Sequence, residues 1–280
     1  MSYLLASGCS WTDARYKSMI LPNYDCSFAK WPELLGKKLN IPKVINVGES
    51  GASNDFIFNK CYDQMAEKIP KIVCVLISSW SRHSIFNYNF NIYDLLSTDY
   101  AISKDKLPTE LDIWREWIKD ESAALAMAKY LWERELRLKD IVNHTLREIW
   151  KFQTFCKHNN IECIIMSGLE PISTFGPFGL DHFWKDDTSA LDIQLKDITN
   201  YMKHILKSKY SHNIDERTLI GWPFFEQIGG YSIFNLFESM YNGHQFYIDP
   251  DLDGHPNALG HELIAEMFYK GYQDIYGKIS

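Results

Sequence analysis

The sequence predicts an α/β fold in which helices cover both faces of a parallel sheet. Two observations carry this. Three short apolar runs, Tyr3-Leu4-Leu5-Ala6, Val44-Ile45-Asn46-Val47 and Ile72-Val73-Cys74-Val75-Leu76-Ile77, are separated by stretches with helical spacing. The third run is unbroken by polar residues, as a strand buried on both faces of a parallel sheet requires.

Taken in order, residues 2–7 read as the first strand, closed by Gly8. Phe28, Trp31, Leu34, Leu35 and Leu39 then recur at helical spacing over 28–39. Residues 43–47 form the second strand, ending at Gly48. Ser53 or Asn54 is placed to cap a helix running to about residue 67, because a short polar side chain accepts from the unpaired N–H groups of a first turn. The third strand covers 72–78. Residues 85–108 are rich in Asn, Tyr and Phe and lack a clear period. Across 109–159, Trp114, Trp117, Leu125, Met127, Leu131, Leu138 and Ile141 recur near helical spacing, and Ala123 to Ala128 add helix propensity. A fourth strand, 161–166, follows Asn159-Asn160. A loop rich in Phe, Gly and Pro opens at Gly168. Residues 188–209 read as a helix, 218–221 as a fifth strand and 257–275 as the closing helix. The pattern implies a single domain spanning 1–280, interrupted after strand three by a helical insertion at about 85–160. Residues 90–158 are then expected to cap the carboxyl edge of the sheet, where such folds bind ligands.

A chain of 280 residues, 46% of them hydrophobic, suffices for a large buried core. Its net charge of −7 argues against a broad nucleic-acid surface and fits a small or neutral substrate. The aromatic-rich loops near 86–93 and 175–184 suit either sugar stacking or plain packing. Cys9, Cys26, Cys61, Cys74, Cys156 and Cys163 form no CxxC pair and no zinc spacing, so no metal site is expected. They read as reduced thiols of a cytoplasmic protein. No run approaches the ~18–20 apolar residues of a membrane span. The N-terminus carries no basic, apolar leader, and no membrane partner is expected.

Four segments with chemical potential fall where the strands end. Ser10 follows strand one in Gly8-Cys9-Ser10-Trp11-Thr12. Gly48-Glu49-Ser50-Gly51 follows strand two, and Ser78-Ser79-Trp80-Ser81-Arg82 follows strand three. Asp253-Gly254-His255-Pro256-Asn257 precedes the last helix. Ser10 alone could be a turn or N-cap serine, and His255 alone a surface-turn histidine. Their convergence on one sheet edge with Gly51 makes a Ser-His-Asp triad: nucleophile Ser10, general base His255 and orienting Asp253. The Ser10 and Gly51 N–H groups would receive the developing oxyanion, unless Gly51 merely allows the turn. Asp251 or a backbone carbonyl competes with Asp253 for the orienting role. His261 reads as a packing or capping residue of the closing helix.

The Gly8-x-Ser10-x-Thr12, Asn46-x-Gly48-x-Ser50-Gly51 and Asp253/His255-Pro256-Asn257 blocks resemble the SGNH (GDSL-type) hydrolase family, over the framework from residue 3 to about 270 but not the insertion. The resemblance implies a flavodoxin-like three-layer α/β/α fold with strand order 2-1-3-4-5. It also implies serine esterase, thioesterase, lipase or carbohydrate O-deacetylase activity on a small-molecule or carbohydrate ester, without metal or cofactor. Three departures from the family pattern stand out. Cys9 occupies a usual Asp, the Asp-to-His spacing is one residue short, and the third block lacks its oxyanion asparagine. Ser81, Arg82 or Asn54 could supply that missing donor; Arg82 could equally form a structural ion pair. Trp11 and the Ser79-Trp80-Ser81 form resemble a divergent branch met in phage and environmental bacterial genomes. Alternatives to hydrolysis are a catalytically weak binding or virion-associated module on the same scaffold, and O-acyl transfer.

Overall fold

The computed structural model describes residues 2–80, 82–85, 88–91, 138–169, 171, 199–240 and 243–277. The sheet strands are β1 (Leu4–Gly8), β2 (Val44–Asn46), β3 (Ile72–Ile77), β6 (Glu162–Ser167) and β7 (Leu219–Ile220). Two hairpins lie outside the sheet: β4 (Arg82–Ile85) with β5 (Tyr88–Asn91), and β8 (Tyr247–Asp249) with β9 (Asp253–Pro256). The helices are α1 (Trp31–Lys38), α2 (Asn54–Glu67), α3 (Leu138–His158), α4 (Ile233–Ser239) and α5 (Ala258–Tyr276).

All pairings in the five-stranded sheet are parallel, in the order β2-β1-β3-β6-β7. Counting sheet strands along the chain, this is the expected order 2-1-3-4-5. Every residue of β1 and β3 is buried, as their apolar runs require. One helical layer pairs α1 with α5, where Trp31 stacks on Phe268 at 4.4 Å. The other pairs α2 with α3, where Phe58 meets Phe152 at 4.9 Å. Chain order reverses between β1 and β3, and the crevice beyond their carboxyl ends is the ligand position of such a sheet.

Local chemistry explains the boundaries. Helix α1 starts at Trp31, not at 28, with Pro32 in its first turn, where no intrahelical N–H is lost. Two helix-to-strand turns close on an asparagine in the left-handed region, Asn40 (φ 53°) and Asn160 (φ 54°). In each, the next amide reaches back five residues, Ile41 to Gly36 and Ile161 to Cys156. That is a Schellman closure, with Asn tolerated in place of Gly. Ser53, not Asn54, caps α2, accepting from the Phe56 N–H.

The expected helix over 109–159 is seen only as α3, and that over 188–209 only across 199–207; their remainders lie outside the described residues. Of the proposed cap over 90–158, residues 92–137 lie outside the described residues, whereas 138–158 form α3, which packs on α2 in a helical layer. Of the aromatic stretches, 88–91 form β5, and 86–87, 92–93 and 175–184 lie outside the described residues. The two hairpins were not legible in the periodicity. All six cysteines are free thiols. Burial pushes the Cys61 and Cys74 thiols well up, so these two behave as small core residues. Among the described residues, no helix is long and apolar enough to cross a membrane.

Candidate active site

Ser10 sits on a tight turn directly beyond β1. The N–H groups of Thr12 and Asp13 both donate to the Cys9 carbonyl, at 2.8 and 3.1 Å, turning the chain back under the serine. Gly8 is required by close packing. A Cβ there would lie 2.1 Å from Thr12 Oγ1 and 2.9 Å from the Leu76 carbonyl oxygen. The Trp31 indole N–H fixes Thr12 by donating to its Oγ1 at 3.1 Å.

The loop after β2 is bonded to the same turn. Val47 N–H donates to the Ala6 carbonyl and Glu49 N–H to the Gly8 carbonyl. The Asn46 side chain donates to the Thr12 carbonyl and accepts from the Gly48 N–H. Asp13, 6% exposed, accepts from both the N–H and the hydroxyl of Ser50, at 3.1 and 2.9 Å. Gly51 therefore follows a pinned residue, and its φ of 77° lies in the left-handed region that favours glycine. This fixes the two proposed oxyanion donors to one rigid unit.

His255 arrives on β9, from the far end of the chain. Asn257 locks this segment: it caps α5 by accepting from Gly260 N–H and donates to the carbonyls of Gln245 and Tyr247. His255 Nε2 lies 2.9 Å from Ser10 Oγ, and His255 Nδ1 lies 2.5 Å from Asp253 Oδ1. Asp253 also accepts from the His255 backbone N–H at 3.1 Å and is 2% exposed. Burial works against its charge, but the hydrogen bond and positive charge of His255, aided by the Ser18 hydroxyl, take it down to about 2. Asp251 is exposed in the hairpin turn, where its N–H donates to the Asp249 side chain. The structure thus brings Asp253, and not Asp251, to His255.

Other candidates fall differently. Asn54 uses both ends of its amide on the Ser78 backbone, accepting from N–H at 2.8 Å and donating to C=O at 3.1 Å. It ties the start of α2 to the exit of β3. Arg82 opens β4, and its buried Nη1 has no hydrogen-bond partner among the described residues. Arg82 forms no ion pair among the described residues. Ser81 lies outside the described residues.

Two residues were missed in the sequence. One is Asp13, which positions the Gly51 loop. The other is Tyr16, whose hydroxyl lies 2.7 Å from His255 Nδ1 and 3.0 Å from Asp253 Oδ2, with its ring stacked on the imidazole at 4.2 Å. Asp13 was visible only as an acidic residue three after the serine, and Tyr16 as one of many aromatics in an aperiodic stretch.

His261 packs behind the site, 2% exposed, and its Nδ1 accepts the Trp31 N–H at 3.3 Å, satisfying an unpaired donor at the start of α1. Burial first, then the positive charges of Lys30 and His255, take it down to about 3. A histidine lowered from its ordinary 6.5 stays neutral in the fold but takes a proton when unfolded. Its contribution to stability is therefore complete above about pH 6.5 and is lost as pH falls toward 3. Denaturant midpoints are expected to fall by the equivalent of about 2 kcal/mol from this group between neutrality and about pH 5. His261→Gln should flatten that slope, and an unchanged slope would remove the assignment.

No family model and no curated protein matches the sequence. Among solved structures, the chain is similar to a lipase/acylhydrolase from Enterococcus faecalis, at 11% identity and TM-score 0.46, over 98% of this chain and 96% of that one. It is similar to a chain assigned to the G-D-S-L lipolytic family from Desulfitobacterium hafniense DCB-2, at 13% identity and TM-score 0.43, over 97% and 99%. A third is Axe2, an acetylxylan esterase from Geobacillus stearothermophilus, at 15% identity and TM-score 0.44, over 96% and 93%. The chemistry proposed below rests on this chain's own residues.

Proposed function

We propose that the protein is a serine ester hydrolase of the SGNH kind, acting on a small-molecule or carbohydrate ester. The observation that carries this is the continuous run from Ser10 Oγ to His255 Nε2 at 2.9 Å and from His255 Nδ1 to Asp253 Oδ1 at 2.5 Å. Both contacts lie within the reach a nucleophile and its base need.

In this reading Ser10 Oγ attacks the ester carbonyl carbon while its proton passes to His255 Nε2. The oxyanion of the tetrahedral intermediate is received by the N–H groups of Ser10 and Gly51. The imidazolium then gives its proton to the leaving alkoxide, the C–O bond breaks, and an acyl-enzyme remains. Water attacks that acyl group with His255 again as base, releasing the acid and restoring the serine hydroxyl. Asp253 stays ionised throughout and stabilises the imidazolium. With Asn54 committed to Ser78, Arg82 and Ser81 remain the candidates for a further donor to the substrate. The same acyl-enzyme, intercepted by an alcohol, would give acyl transfer.

A fluorophosphonate probe tests the reading. The wild-type protein is expected to take up one equivalent on Ser10, located by peptide mass mapping, and His255→Ala is expected to abolish uptake while keeping its native circular dichroism. A natively folded wild type that takes up no probe would favour the binding-module alternative.

A further inference from the structure

Tyr16 lies 237 residues from Asp253 in sequence, yet its hydroxyl contacts both carboxylate oxygens, Oδ2 at 3.0 Å and Oδ1 at 3.2 Å. The same oxygen is 2.7 Å from His255 Nδ1, and the two rings stack at 4.2 Å with 28° between their planes. The loop holds it there: Tyr16 N–H donates to the Asp13 carbonyl at 3.2 Å, and Asp13 is the residue that pins Ser50.

We propose that Tyr16 is a positioning residue, a fourth member of the Ser10-His255-Asp253 array that fixes the imidazole's tautomer and orientation. The proton count supports this. Asp253 is ionised and can only accept, so the single Tyr16 hydroxyl proton goes to the carboxylate. The tyrosine oxygen then keeps lone pairs directed at Nδ1 and favours a proton there. With Nδ1 protonated, Nε2 presents its lone pair to Ser10, the form a general base requires. The opposite tautomer would set two lone pairs, on Nδ1 and the tyrosine oxygen, against each other.

Two further features suit the role. Tyr16 stays protonated, because burial first and the Asp253 charge second push its ionisation well above the usual phenol range. Its ring also covers one face of His255. When Ser10 passes its proton to Nε2, the imidazolium faces the electron-rich side of that ring, which favours positive charge. The backbone of β9 and the carboxylate hold one edge of the imidazole, and the tyrosine limits its rotation. Its place in an irregular loop puts it outside every motif read from the sequence.

The proposal rests on the hydrolase reading, and the test separates the two. Steady-state kinetics on a short acyl ester are measured for wild type, Tyr16→Phe, Tyr16→Leu, Asp253→Asn and the Tyr16→Phe/Asp253→Asn double variant. Tyr16→Phe keeps the ring and loses one hydrogen bond, so kcat is expected to fall about 10-fold with KM unchanged. Tyr16→Leu also loses the ring and should fall further, so phenylalanine is the partial rescue. In the Asp253→Asn background Tyr16→Phe should cost almost nothing more, because only the carboxylate takes the hydroxyl proton and so leaves the tyrosine lone pairs facing Nδ1. A wild type with no turnover and no probe uptake would overturn the hydrolase reading. An active wild type with an equally active Tyr16→Phe, with a rise in KM alone, or with fully additive losses in the double variant would overturn the role of Tyr16.

Discussion

Replacing Ser10 by alanine is expected to lower kcat for a short acyl ester by about 10⁶-fold, the scale seen when the nucleophile of a serine triad is removed. The size follows from what is lost. Alanine leaves His255, Asp253 and the N–H groups of Ser10 and Gly51 in place, but no atom remains to form the acyl-enzyme. A residual acceleration of about 10³–10⁴ over the uncatalysed reaction is expected from those remaining groups. Stability should hardly move, within about 0.5 kcal/mol, since Ser10 is only partly buried and its side-chain hydrogen bond among the described residues is with His255. The neighbouring turn is held by backbone bonds to Cys9 and by the Trp31–Thr12 contact, none of which uses the serine side chain. Initial-rate kinetics beside a thermal melt check both halves. Turnover equal to wild type in a folded Ser10→Ala protein would remove Ser10 as nucleophile.

The sheet strands and the placing of Ser10, Asp253 and His255 at one sheet edge were legible because their signals are local, whereas the strand order was implied only by the family resemblance. An unbroken apolar run such as 72–77 can pack only with both faces covered, and a parallel sheet places strand ends together. The choice between Asp251 and Asp253 was not legible, because it depends on the β8–β9 hairpin. Hairpin register turns one aspartate toward the imidazole and the other toward solvent. Asn54 was ambiguous for a related reason. A buried asparagine next to a helix start reads alike as a cap, a donor to substrate or a tie to a neighbouring loop. The Ser78 amide and carbonyl, facing it across the sheet edge, decide for the tie. Tyr16 and Asp13 were missed because their partners are far away in sequence, and loops 11–30 carry no period from which to infer a direction.

Asparagine in place of Asp253 is expected to lower kcat by about 10⁴-fold, whereas Asp251→Asn should leave it within about twofold. The carboxylate accepts from His255 Nδ1, from the His255 backbone N–H and from Tyr16. An asparagine amide would turn an N–H toward Nδ1 and draw the lone pair there. The proton would then sit on Nε2, and His255 could no longer accept from Ser10. Asp251 has no such contact: it stands exposed in the hairpin turn, where the Asp249 side chain accepts its N–H. The charge on Asp253 is also insensitive to mild acid. A carboxylate taken down to about 2 in the fold, from 3.8 ordinarily, stabilises the fold above about pH 3.8 and loses that contribution as pH falls through 2. Between neutrality and about pH 4 its protonation is therefore constant. The pair of variants, compared at one pH near neutrality, reads the acid's identity directly. Equal losses from Asp251→Asn and Asp253→Asn, or a larger loss from Asp251→Asn, would overturn the assignment that the 2.5 Å contact makes.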